Sequence, residues 1–364
     1  MVRTLHRIAF AFIVTGVGTS AAVWADDPKP ETAEGPSLHE PINSSATRAF
    51  PLLTGDWGGA RRRLAEQGLT FDVVTIADVT KNLHGGLGTA GSTWRRLTEA
   101  TFALDTKPLF GIEGGTFFAN FQNADGANPS DRLIGDVQGI DGLDGVPGAP
   151  HQNRTQLAQL WYQQTAFDGL LRVKVGKVDA NNEFDHSETA AEFLHQSTGS
   201  SATLFTLPTY PDPATSVNVF VKPMKDLQIG LGLYDGSYAE GVRTGSTGPR
   251  TFFRSAEDLF LISEVDWSWT AGRDALPGRL GVGGWYSTNR FARLDGGRAT
   301  GTGAPYALLD QAVWRANPKD DKDGRGVGLF LMYGYADPAI LLYDHNLGGG
   351  VAWTGPIEGR PDDV

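Results

Sequence analysis

From Leu69 onward the chain alternates apolar and polar positions with a period of two. Leu69, Phe71, Val73, Thr75, Ala77 and Val79 interleave with Asp72, Val74, Ile76, Asp78 and Thr80. The same rhythm runs through Thr116 to Gln122 and through Leu171 to Gly176. It returns at Leu261, Val265, Trp267 and Trp269, set against Glu264, Asp266 and Ser268. Successive strand side chains point to opposite faces, so each segment has one apolar and one polar face. Strands are predicted over 68–81, 95–106, 114–123, 154–166, 169–178, 215–222, 226–235, 258–270, 278–290, 305–316, 326–336 and 344–354. Alternation alone leaves two folds open. A soluble sandwich keeps its polar face outside, whereas a membrane barrel turns it toward a wet lumen.

The links between strands favour the barrel. Residues 82–94, 124–153, 179–214, 236–257 and 291–304 are long links, while 167–168, 223–225 and 271–277 are short. Barrels of the outer-membrane type have short turns at the periplasmic rim and longer loops outside. Strands near ten residues match a tilted bilayer span. The links 317–325 and 337–343 blur the rule. Trp267, Trp269, Trp314 and Trp353 all fall at strand ends of one sense, where a periplasmic aromatic girdle belongs.

The region before the strands reads differently. Arg3 and Arg7 precede the apolar stretch Ile8–Gly18, and Val23-Trp24-Ala25 supplies a cleavage pattern, so residues 1–25 read as a signal peptide. Residues 26–50, with four prolines, read as a flexible periplasmic leader. A short helix follows, with Asp56 as its expected cap. Trp57, Ala60 and Leu64 share one face, Arg61, Arg62 and Arg63 crowd the rest, and Gly68 ends it. It is expected to cover the periplasmic mouth.

Composition then removes whole classes of function. The chain has no cysteine, which excludes disulfides, thiolate metal sites and a cysteine nucleophile. Its net charge is −11. Without the two signal-peptide arginines, 29 Lys and Arg face 42 Asp and Glu, a balance of −13. Such an acidic chain is a poor nucleic-acid binder. No Gly-x-Ser-x-Gly elbow and no paired histidines at ligand spacing occur, so neither an enzyme nor a metal or cofactor site is expected. Asp320-Asp321-Lys322-Asp323-Gly324 lacks the glutamate an EF-hand needs and reads as a polar turn, and Asp141-Gly142-Leu143-Asp144-Gly145 is a poor calcium candidate.

Four stretches resemble the carbohydrate-selective porin family, often called the OprB family. They are Leu53-Thr54-Gly55-Asp56-Trp57-Gly58-Gly59-Ala60-Arg61 with Leu64–Phe71, Val175–Phe184, Leu207–Ala214 and Glu358–Asp363. The resemblance covers about residue 50 to the end. It implies an all-β, antiparallel transmembrane barrel of sixteen strands, with a short N-terminal helix, that passes sugars across the outer membrane. About twelve of those strands are expected within residues 51–364, so the barrel domain reads as incomplete at its C-terminus. The resemblance implies small sugars as permeants, outer-membrane lipid as surroundings, and a monomer or homotrimer. A general porin and a soluble secreted sugar-binding protein are the alternatives.

The longest link, 179–214, contains Phe184, Phe193, Leu194, Leu204, Phe205 and Leu207, too apolar for an idle solvent loop. It is expected to fold inward and narrow the pore. Asp179, Asn181, Glu183, Asp185, Glu188 and Glu192 would line that constriction, opposed by Arg172, Lys174 and Lys177. Trp161 shares the parity of Gln159 and Gln163. It is expected either to face the lumen as a stacking platform for a sugar or to sit on the lipid side.

Overall fold

In the computed structural model the described residues are 54–136, 138–141, 143, 153–191, 193–251, 258–320, 323–357 and 364. The signal peptide and leader, Glu192 and the Glu358–Asp363 stretch therefore lie outside the described residues. Twelve strands form one antiparallel sheet in strict sequence order: β1 (Leu69–Thr80), β2 (Thr93–Asp105), β3 (Gly115–Gly126), β4 (Arg154–Ala166), β5 (Leu171–Val178), β6 (Ala214–Met224), β7 (Leu227–Asp235), β8 (Leu259–Ala271), β9 (Leu276–Ala292), β10 (Arg298–Arg315), β11 (Gly326–Tyr335) and β12 (His345–Thr354). Each strand pairs with its neighbour in sequence, and among the described residues β1 and β12 have one neighbour each. Among the described residues no helix is long and apolar enough to cross a membrane.

The expected strands all occur, and one link needs correction. Residues 291–304 were expected to form a long loop; β9 and β10 instead extend into it and leave only 293–297 as the turn. The run Gly301-Thr302-Gly303 looks like loop by composition. A register shift there, with Thr288 and Asn289 of β9 facing the single residue Gly301, lets it join the ladder, with Thr300 opposite Arg290 and Thr302 opposite Ser287.

The two faces of the sheet differ sharply. On one, Val73, Phe117, Leu160, Leu231, Val265, Val282, Leu331 and Trp353 are exposed. So wide an apolar surface is foreign to a soluble monomer. The other, inner face buries Tyr234, Phe260, Trp285, Tyr306, Leu308 and Met332, packed with Phe184, Leu204 and Leu207 from the β5–β6 link. Trp267, Trp314 and Trp353 stand exposed on the outward face at one rim, and Trp94, Tyr286 and Tyr333 toward the other. Trp269 is different: its indole N–H donates to Gln311 Oε1 at 2.9 Å.

The N-terminal helix α1 (Ala60–Glu66) sits at the start of β1. Asp56 does not cap it through its side chain. Its carbonyl accepts from the Gly59 and Arg61 amides, and its carboxylate takes Arg62 at 3.1 Å. Arg61 bonds the Phe71 carbonyl at 2.6 Å and Asp72 at 3.0 Å, and lies over the Trp57 and Phe71 rings. That anchors the helix to the strand with an unpaired edge. Gly68 takes the left-handed conformation (φ +85°), and a Cβ there would lie 2.6 Å from the Asp105 carbonyl. The β2–β3 link holds a second short helix, α2 (Thr106–Phe110), capped by Asp105, which accepts from the Lys107 amide.

Candidate pore-lining site

The site is built by the segment between β5 and β6, residues 179–213. Its two ends are tied together. Asp179 accepts from the Asn181 and Tyr210 amides, both at 3.0 Å, and the Ala180 amide donates to the Pro208 carbonyl. Between these ends the segment runs over the inner face toward β7–β12. The Asp185 amide donates to Glu264 on β8 at 2.9 Å. Ser187 donates to Asp310 on β10 at 2.5 Å, and Arg279 on β9 donates to the His186 carbonyl at 2.7 Å.

Glycines on the inner face make room for it. A Cβ on Gly230 or Gly232 would meet Phe184 at 3.0 or 2.8 Å. One on Gly328 would meet Thr189 at 2.8 Å, and one on Gly350 would meet Phe193 at 2.9 Å. Gly334 would collide with Ser201 and Thr203. Strand glycines normally weaken a sheet, and here they mark close approach by another segment.

The predicted charged residues separate into groups. Glu183 sits between Arg172, at 2.7 Å, and the Lys174 ammonium, which it also binds. All three are largely withdrawn from water, with side chains 4%, 16% and 8% exposed in that order. Arg172 lies over the Phe220 ring at 3.7 Å and Lys174 over Trp161 at 4.0 Å. Trp161 is on the inner face, stacked at 4.7 Å on Phe118. With Lys174 on it as well and only 6% exposed, it has no open ring for a sugar. Lys177 stands apart from this trio. Its ammonium donates to the carbonyls of Leu157 (2.9 Å), Thr247 (3.0 Å) and Gly245, tying the β7–β8 link to the wall.

The remaining residues shape the segment or face water. Asn181 donates to the carbonyls of Phe184, Asp185 and Gly199. Burial pushes the Asp179 carboxyl up to about 6 and that of Asp185 up to about 7. Asp185 accepts from the Ser201 amide at 2.8 Å, and its other oxygen is buried with no hydrogen-bond partner among the described residues. Burial also works to raise Glu183, but Lys174 and Arg172 outweigh it and hold the group below the usual range. Glu188 is exposed, yet its confinement among the surrounding strands raises its pKa, with Asp310 adding repulsion.

Several charges come together that the sequence does not assign to the site. Arg279 holds Glu264 at 2.7 Å and Asp266 at 2.6 Å, with Asp310 at 4.0 Å. Arg95 binds Asp78 and, at 2.6 Å, Asp141 of the β3–β4 link. Arg154 binds Asp212 at 2.8 Å. The available signal was a charge at inner-face parity within an apolar strand. Asp136, His195 and Ser197 also meet, with His195 Nε2 2.9 Å from Asp136 and Nδ1 2.7 Å from the Ser197 hydroxyl. The Ser197 amide also donates to Nδ1, so the trio ties the β3–β4 and β5–β6 links together.

Known proteins share both sequence and fold with this chain. The family model described as "Carbohydrate-selective porin, OprB family" matches residues 91–364. Porin B of Pseudomonas aeruginosa is 25% identical over 329 residues, covering 85% of this chain and 71% of that protein. The high-pH structure of Pseudomonas putida OprB superimposes with a TM-score of 0.70 at 22% identity, covering 85% of this chain and 76% of that one. The low-pH structure of the same protein gives a TM-score of 0.52 at 18% identity, with 85% and 79% covered. A twelve-stranded antiparallel meander with an outward apolar face and these likenesses lead to one assignment: this chain belongs to the OprB family of carbohydrate-selective porins.

Proposed function

We propose that the chain forms an outer-membrane channel through which small sugars diffuse passively, narrowed by the segment 179–213. The observation that carries this reading is the packing of that segment on the inner face while the apolar residues of the same strands point outward. The strand ends bearing Trp267, Trp314 and Trp353 then face the periplasm and the long links face outside, after removal of a signal peptide near Ala25. Membrane lipid surrounds the outward face, and the barrel works as a monomer or a homotrimer.

The proposed lining divides by exposure. Glu188, with Arg172 and Arg279 at its partly open margins, meets the permeant. Lys174, Lys177, Asp179, Asn181, Glu183, Asp185 and Trp161 hold the segment in place, and Glu192 belongs to the same stretch. Carboxylates accept from sugar hydroxyls and guanidinium groups donate to them. A transit site must replace part of the hydration shell yet release its occupant quickly, so few exposed charges serve better than a deep pocket.

Liposome swelling with the refolded chain tests the reading. Sugars are expected to enter faster than amino acids of equal size. Equal entry of both makes it a general porin. A chain that stays monodisperse in plain buffer after refolding overturns the channel altogether.

A further inference from the structure

The β9–β10 hairpin runs on past the ladders of its neighbours, and its tip is held by the Leu294 amide, which donates to the Ala339 carbonyl at 2.8 Å. Its last rung against β8 is Phe260–Ser287, and against β11 it is Tyr306–Gly334. Beyond these rungs β9 continues to Ala292 and β10 starts at Arg298. The inward side of this stretch is buried, with Asn289 and Phe291 at 2% and 8% exposure, Asn289 donating to Asp258 at 3.3 Å and Phe291 against the Phe205 ring. The outward side carries Tyr286, Arg290, Arg298 and Thr300, all exposed.

Register brings these four together. Thr300 pairs with Arg290 and Arg298 with Ala292, so the two arginines are diagonal cross-strand neighbours, about 7–8 Å apart at the backbone. The register shift opposite Gly301 leaves Thr300 on the arginine side, paired with Arg290, and the Tyr286 phenol lies against Gly301, where a Cβ would meet it at 2.1 Å. Among the described residues the guanidinium groups of Arg290 and Arg298 make no hydrogen bond or ion pair. The acid at the hairpin tip, Asp295, is taken by Arg293 at 2.9 Å. No acid occupies the outward side of this stretch. On the same face, toward the membrane, lie the exposed apolar residues Leu261, Leu280 and Val282.

We propose that this patch binds the phosphate of an outer-leaflet lipid headgroup whose acyl chains lie along that apolar surface. Two unpaired guanidiniums flanked by two hydroxyls supply the forked donors that a phosphate accepts. Their place directly beyond lipid-facing side chains selects an anchored headgroup over a free anion. The proposal rests on the channel reading, which puts the 293–297 turn outside.

Native mass spectrometry of the full chain in neutral detergent tests it, with diphosphoryl lipid A and the same lipid stripped of phosphate as probes. The unaltered chain is expected to retain the phosphorylated lipid about tenfold better, and the R290A/R298A variant to lose that preference. The R290K/R298K variant, which keeps the charge without the fork, falls between them. Equal retention of both lipids by the unaltered chain, or an unchanged preference in R290A/R298A, overturns the proposal. So does displacement by millimolar inorganic phosphate, which marks a simple anion site. Sugar-driven liposome swelling reads the channel separately. Swelling lost with lipid preference intact fails only the channel reading, and the reverse fails only the lipid site.

Discussion

Glu183 and Glu188 lie five positions apart on one segment and do different work. Glu183 is closed in between Arg172 and Lys174, so E183Q leaves two cations in poor solvent without their counter-charge. Its cost is expected to be about 3 kcal/mol, read by urea unfolding in vesicles. Glu188 is exposed, and E188Q should change stability by less than about 0.5 kcal/mol while shifting the cation-to-anion permeability ratio in planar bilayers. An unchanged ratio would move the charged constriction elsewhere. Asp185 adds a pH dependence. Burial raises its pKa to about 7, so the folded state holds the proton more tightly than the unfolded chain does. Its contribution to seating the segment is therefore greatest below the ordinary carboxyl pKa and is lost as pH rises through about 7. Proteolysis of the segment should speed up from pH 6 to pH 8, and D185N should flatten that profile.

Among the elements, the β5–β6 segment and the glycine-bearing strands define each other. A Cβ at Gly350 would lie 2.5 Å from Phe330 and 2.9 Å from Phe193. G350A is therefore expected to cost about 1–3 kcal/mol and to loosen the stretch around Phe193, seen as faster amide exchange there. Gly284 is the control. Its nearest neighbour to an added Cβ is the Ala304 carbonyl at 3.7 Å, so G284A should leave the exchange pattern unchanged. Those seats were not legible as such in the sequence, where a glycine within a strand reads equally as bulge, bend or close approach. The apolar content of the segment was legible, and it pointed inward because Phe184, Leu204 and Leu207 had to be covered by something.

For the whole molecule, the exposed apolar face governs behaviour. V265R on the outward side of β8 places a guanidinium among exposed apolar side chains. In a bilayer it should cost about 2–4 kcal/mol in unfolding from vesicles. In a protein surrounded by water the same exposed position would tolerate arginine with little change, so a silent V265R would sink the membrane assignment. At this scale the sequence was most informative. A two-residue period is local, and burial on one face needs only that neighbouring residues take turns, so the strands and their two-faced character follow from the chain itself, while which face turns outward does not. The β9–β10 turn escaped because Gly301-Thr302-Gly303 carries loop composition while the register shift opposite Gly301 keeps the pairing.

By itself, then, the sequence determined an antiparallel all-β chain with one apolar face, aromatic strand ends and one conspicuously apolar link. Tertiary structure alone decided which charges meet. Asp185 finds Glu264 across 79 residues and Ser187 finds Asp310 across 123. No local rule reaches that far, because such partners are chosen by where a folded segment comes to rest against strands formed much later in the chain. The same holds for Trp161. Parity left it inward or lipid-facing; only the packed structure put Lys174 over its ring and Phe118 against it, making a supporting wall where a platform for sugar had been one expectation.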